Sequence, residues 1–143
     1  MKITTIIDKT KEEEIIICAH EKTKLINDIE MFVLENSTEL VGYQEGVIKP
    51  ITLNEIYSFN VLDNKVYACL ENEKFMLKQR LYVIEAILND NFVKINQSCI
   101  INIRKIKKFE SSFGGVLAFL LKNGYKDYIS RRQLKVVKER IGL

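Results

Sequence analysis

Groups suited to catalytic or metal chemistry are sparse in this sequence. Three cysteines stand at Cys18, Cys69 and Cys99, and the single histidine is His20. A structural zinc needs about four clustered ligands. No Cys-x-x-Cys pair is present, so the thiols are expected to be buried packing residues, and neither a metal nor a cofactor is expected. A serine or cysteine nucleophile needs a neighbouring base, and His20 lies far along the chain from Ser98 and Cys99. Neither common glycine-rich phosphate loop occurs. What the sequence concentrates is positive charge. Residues 1–45 carry five lysines against ten acids, net −5; residues 46–93 are net −1; residues 94–143 carry twelve Lys/Arg against three acids, net +9. A basic block of this kind is the footprint of a polyanion binder. The chain is therefore expected to be no enzyme and to have no small-molecule substrate.

The elements that must position these charges follow from hydrophobic period and turn chemistry. At 143 residues and 47% hydrophobic content the chain can build a real core. Residues 2–7 and Ile15 to Cys18 are β-branched runs and predict strands. Leu25, Ile29, Phe32 and Val33 form a helical stripe, and Leu40 to Tyr43 predicts another strand. Residues 1–46 are thus expected to be a small acidic β-β-α-β extension. From residue 47 to 143, short strands separated by turns dominate: 55–62, 66–70, 74–77, 92–95, 98–102, 106–110, 116–121 and 125–129. A short helix is expected over residues 79–88. Asn123-Gly124 predicts a type I′ hairpin turn. Ser130 and Gln133 have the spacing of a capping box, opening a last helix with Leu134, Val137 and Ile141 inward and Arg131, Arg132, Lys135 and Lys138 outward. The fold class expected is mainly β, with stacked antiparallel sheets of about ten strands, a short helix and a C-terminal helix, preceded by the small α+β extension.

The run Phe92-Val93-Lys94-Ile95-Asn96-Gln97-Ser98-Cys99-Ile100-Ile101-Asn102 resembles the signature of LytTR DNA-binding domains. Ile56 to Asn60 is similar to that family's opening strand, and Ile129-Ser130-Arg131-Arg132 to the segment before its last helix. The match covers about 95 residues in three ordered motifs. Asn96-Gln97 stands where the family usually has His-Arg, and Asn60 where it has an acid. A shorter class of LytTR regulators carries only a small N-terminal extension, and this chain resembles that class. The resemblance implies three stacked sheets that bind duplex DNA by loops entering successive major grooves at direct repeats, often as a homodimer. It implies base contacts at Asn64 or Lys65, Gln97 and Arg132, and phosphate contacts at Lys94, Asn96, Ser98, Arg131 and Lys135. Gln suits adenine N6/N7 and Arg suits guanine O6/N7, so Gln97 shifts the expected preference toward adenine. Asn64 serves equally well as a turn former.

No stretch reaches the roughly 18 apolar residues of a membrane span, and the N-terminus lacks a signal-peptide core, so a cytoplasmic location is expected. The class also carries the expectation of a membrane-protein regulatory partner. Two other readings stand beside DNA binding: a protein- or RNA-interaction module on a LytTR-like scaffold, and a ligand-sensing β-domain.

Overall fold

Two-residue turns set the register of the first strands in the computed structural model, which describes residues 1–111 and 114–143. Glu45 and Gly46 take φ of 43° and 81°, and Asp63 and Asn64 take 51° and 61°. Paired positive φ is the type I′ geometry, whose twist matches that of the strands it joins. The first turn links β1 (Glu39–Gln44) to β2 (Val47–Thr52), and the second links β3 (Ser58–Leu62) to β4 (Lys65–Cys69). The β1–β2 hairpin therefore spans position 46. The remaining elements are β5 (Lys74–Leu77), β6 (Phe92–Asn96), β7 (Cys99–Asn102), β8 (Ile106–Ser111), β9 (Leu117–Leu121), β10 (Lys126–Tyr128), and helices α1 (Lys24–Ser37), α2 (Leu81–Ile87) and α3 (Arg131–Ile141).

Among the described residues, seven strands form one antiparallel sheet in the order β2-β1-β5-β4-β3-β7-β6, and three form a second in the order β10-β9-β8. Ten strands are present among the described residues, as expected, but in two hydrogen-bonded sheets rather than three. The β1–β2 hairpin joins its neighbour β5 through the Tyr43–Met76 pair, which merges two of them. Side chains alternate across the large sheet. Phe59, Phe92 and Ile100 enter one core with Phe75, Leu77 and Ile84; Tyr57, Val93, Ile95 and Ile101 enter the other with Phe119, Leu121 and Val137. The large sheet thus lies between α2 on one face and the small sheet with α3 on the other. Helix α3 is fastened along β6: Ser130 N–H donates to Ile95 O at 2.9 Å, and Arg140 Nη1 donates to Phe92 O at 3.1 Å.

The N-terminal expectations need correction. Residues 2–7 and 15–18 form no strand, and Ile3, Ile6, Ile7, Ile15 and Ile16 are exposed. β-propensity measures fit to a paired, half-buried surface, and among the described residues no strand pairs with them. In α1 the buried residues are Ile26 and Glu35, while Leu25 and Phe32 face solvent. Its orientation is set by Glu35, whose carboxylate binds Arg104 Nη1 at 3.1 Å and accepts from Asn91 Nδ2. Of the thiols expected to be buried, Cys99 is, Cys69 is half-buried and Cys18 is exposed. Residues 53–55 form a 3₁₀ turn ahead of β3, closed by a Thr52–Glu55 capping box. Asn123-Gly124 is not a type I′ turn. Only Gly124 has positive φ, 91°, and Asn123 Oδ1 instead accepts from Tyr125 N–H at 3.1 Å.

Gly42 lies where β1 is pressed against its neighbours. A Cβ there would collide with Ile51 Cδ1 and stand 2.7 Å from Phe75 Cβ. Gly42→Ala should therefore cost about 1–3 kcal/mol by overpacking. The expected reading in urea is a lower unfolding midpoint with an unchanged slope. An unchanged midpoint would mean that this face is looser than the contacts imply.

Candidate nucleic-acid interface

Three turns far apart in sequence meet at one end of the molecule, and two backbone hydrogen bonds hold them there. Val61 N–H, at the end of β3, donates to Ser98 O at 2.9 Å, tying the β6–β7 turn beside the β3–β4 turn. The Ser130–Ile95 bond then sets the start of α3 against the end of β6. The next link, Ile129 N–H to Leu117 O at 2.9 Å, brings the start of β9 to the same end.

The side chains expected to touch DNA fall into two groups. Asn64, Lys65, Gln97, Ser98, Arg131, Arg132 and Lys135 are exposed. Among the described residues, no ion pair or side-chain hydrogen bond engages Lys65, Gln97, Arg131, Arg132 or Lys135. Asn64 is also a turn former, since its φ of 61° is one half of the type I′ geometry. Lys94 and Asn96 are half-buried and used internally. Lys94 Nζ lies 3.8 Å from Glu85. Asn96 Oδ1 accepts from Ser98 N–H at 2.9 Å and from Ser98 Oγ at 3.1 Å, while its Nδ2 donates to Asp127 Oδ2 at 3.4 Å. The β6–β7 pairing shifts register between Lys94 and Asn96. Such a bulge re-aims the following side chains, and here it leaves Gln97 in solvent. Ser130 was expected to cap α3 through its hydroxyl. It makes no such bond; its backbone is engaged at both ends instead, by Ile95 O and by Gln133 N–H at 3.0 Å.

Behind the turns lies a polar seam that sequence reading missed. The Asp127 carboxylate accepts from Tyr125 Oη at 2.9 Å, from Asn96 and from Tyr128 N–H. Deeper in, Asn60 stands between two thiols. Its Oδ1 accepts from Ser58 Oγ at 2.7 Å and from Cys69 Sγ at 3.5 Å, and its Nδ2 donates to Cys99 Sγ at 3.5 Å. Tyr125, just ahead of β10, and Asp127 within it are two residues apart, a signal visible in sequence, but Asn96, the partner of Asp127, lies 31 residues away. Burial pushes the Cys99 thiol up to about 12, and raises Cys69 and Tyr125 too. These groups are poor nucleophiles at neutral pH. Among the described residues no group of three or more His, Cys, Asp or Glu could hold a metal ion. No helix of the described residues is long and apolar enough to cross a membrane.

Comparison with known proteins agrees with this fold. The family model described as the LytTr DNA-binding domain matches residues 46–142. Proteins of Staphylococcus aureus strains COL and N315, each named an uncharacterized HTH-type transcriptional regulator, are 37% identical over 110 residues, covering 77% of this chain and 75% of theirs. A solved LytTr DNA-binding domain from Bacillus cereus superposes with a TM-score of 0.70 at 18% identity, covering 76% of this chain and all of that one. That likeness is one of fold. The helix-turn-helix in the relatives' names has no counterpart here, because strands separate each α-helix from the next among the described residues.

The thiols give a direct check on the seam. In the folded protein a thiol reagent at mildly alkaline pH should modify Cys18 at once and Cys99 only on unfolding. The folded thiol of Cys99 titrates near 12 and the ordinary one near 9. Its contribution to stability is therefore complete below about pH 9 and is lost as pH rises from there toward 12. Cys99→Ala should remove that share of the alkaline drop. Prompt labelling of Cys99 in the native state would contradict the packing described.

Proposed function

The chain belongs to the LytTR DNA-binding domain family, and we propose that it regulates transcription by reading duplex DNA through the three clustered turns. The observation that carries this reading is the pair of hydrogen bonds, Val61–Ser98 and Ser130–Ile95, that holds Asn64, Gln97 and Arg132 at one end beside unpaired basic groups. Base reading falls to Arg132, which suits guanine O6/N7, to Gln97, which suits adenine N6/N7, and to Asn64 or Lys65 in the first turn. Arg131 and Lys135 contact phosphate, aided by the free amides at the start of α3. Ser98 and Asn96 contribute at the backbone through the turn they stabilise, and Lys94 reaches phosphate by exchanging Glu85 for it.

The acidic extension, residues 1–46, is proposed as an addition to the DNA-binding domain, residues 47–143, packed on it through β1, and no catalytic step is assigned to either. On this reading the protein works in the cytoplasm as a homodimer on promoter repeats. The membrane-protein partner rests on the resemblance to the short regulator class alone.

Fluorescence anisotropy across a salt series tests the proposal. Wild type should prefer its own promoter duplex over scrambled DNA at equal salt. Arg132→Ala should lose about 1–3 kcal/mol, concentrated on the specific site. Lys135→Ala should weaken binding to every duplex alike and flatten the salt slope by about one. Equal affinity of wild type for all duplexes would reduce the basic block to plain electrostatics. Tighter binding to RNA or to a protein would move the function there.

A further inference from the structure

Residues 1–21 pose a problem that the single chain does not solve. They carry two β-branched runs, Ile3 to Ile7 and Ile15 to Ile17, yet form no regular structure and leave most of those isoleucines in water. Among the described residues, their hydrogen bonds close one turn: Lys11 N–H to Asp8 O at 3.3 Å, with Asp8 Oδ1 accepting from Thr10 N–H at 3.0 Å and Thr10 Oγ1 at 2.6 Å. A hairpin built on that turn would set Glu12 against Ile7 and Glu13 against Ile6, acids opposite isoleucines, and no such hairpin forms.

A different antiparallel register is self-complementary. With residue 2 opposite residue 21, the sequence pairs Lys2 with Glu21, Lys9 with Glu14 and Lys11 with Glu12, and Ile6 with Ile17 and Ile7 with Ile16; one acid, Asp8, still faces an isoleucine, Ile15. Opposite charges and β-branched residues facing across strands stabilise a ladder. Within one chain this register needs a two-residue loop at Lys11-Glu12. Two of the chain's two-residue loops, Glu45-Gly46 and Asp63-Asn64, take positive φ at both positions; a third, Gln97-Ser98, does without it, beside a register shift in the β6–β7 pairing. Lys-Glu offers no Gly, Asn or Asp for positive φ. Between two chains no loop is needed, and a two-fold axis repeats every pair.

We propose that residues 2–21 form an antiparallel two-stranded ladder with the same residues of a second copy. The Asp8–Lys11 turn opens on association, at the loss of solvent-exposed hydrogen bonds. An isolated two-stranded ladder needs an apolar surface to rest on. The exposed Leu25 and Phe32 of α1, next along the chain, provide one. The inference gives the homodimer of the functional reading its interface and rests on that reading for its purpose, but not for its test.

The test is a charge swap on the full chain, read without DNA by sedimentation velocity over a concentration series. One variant carries Lys9→Glu and Lys11→Glu; the other carries Glu12→Lys and Glu14→Lys. All four positions are exposed in residues outside both cores, so folding, checked by circular dichroism, should not change. Wild type should dimerise, and each variant alone should lose the dimer because like charges now face each other. An equimolar mixture should regain it as a heterodimer, since every reversed Lys then meets a reversed Glu. A monomeric wild type, a variant that still dimerises, or a mixture that stays monomeric would each overturn the proposal. Binding of a single promoter repeat by each variant, measured separately, should match wild type. This keeps failure of the interface distinct from failure of DNA recognition.

Discussion

The register of β7 is the constraint on which the rest depends. This strand is buried along its whole length, between β3 and β6 in the large sheet. Its Ile100 serves one core and its Ile101 the other. A slip of one residue would send each to the wrong side, and it would also withdraw Ser98 O from Val61. Asn102 fixes the register from the far end. Its buried amide donates to Ile56 O at 3.0 Å and accepts from Arg104 N–H at 3.0 Å, while its own N–H donates to Tyr57 O at 2.9 Å. A buried amide with its partners in place costs little, and the same amide after a slip would be left unpaired in the core. The strand is pinned by a polar group at one end and by packing in the middle, and its other end carries the turn that bears Gln97.

The seam of Asn60, Cys99, Tyr125, Asp127 and Asn96 does for the turn what β7 does for the sheet. Asn96 has its oxygen committed to Ser98 and its nitrogen to Asp127, so the β6–β7 bulge has one set of partners available to it. Glu35 plays a comparable part for α1. It is nearly inaccessible at 4% exposure and is answered by Arg104 and Asn91. The acidic extension is therefore joined to the main domain by an ion pair as well as by apolar contact; the Glu35 carboxylate is buried and Arg104 is half exposed, so losing Arg104 would leave the buried carboxylate without its counter-charge.

Much of this was legible in the sequence because it is local. The alternation of strands 92–95, 106–110 and 116–121, the helix expected over 79–88 and found at Leu81–Ile87, and the stripe of α3 all follow from period. The ordered motifs ending in Asn102 and Arg132 identified the family. What escaped was long-range or competitive. The β-branched runs at 2–7 and 15–18 have the composition of strands, but a strand exists only with an edge to pair with. The face buried by α1 was misjudged because Glu35, a charged residue, is the one drawn inward, toward an arginine 69 positions away. Asn123-Gly124 has the strongest hairpin composition, but the Asn123 side chain found the Tyr125 amide. The less obvious pairs Glu45-Gly46 and Asp63-Asn64 took the type I′ geometry instead. For the candidate contacts, residue type suggested the chemistry, while the internal commitments of Asn96 and Lys94 depend on partners no spacing rule would supply.

Helix α3 has a mechanical consequence. It is tied to β6 near both ends, by Ser130 to Ile95 and by Arg140 to Phe92, and β6 runs into the turn bearing Gln97. The side chains of that turn and of the helix start are thus mounted on one stiff strut and have little freedom to change their spacing. On the proposed reading, the compliant member of a complex is the duplex: a mismatch between its groove spacing and the protein is taken up by bending or twisting DNA. The energy of that deformation depends on base steps the protein never touches. On that reading, a rigid reader of this kind gauges DNA flexibility as well as base identity.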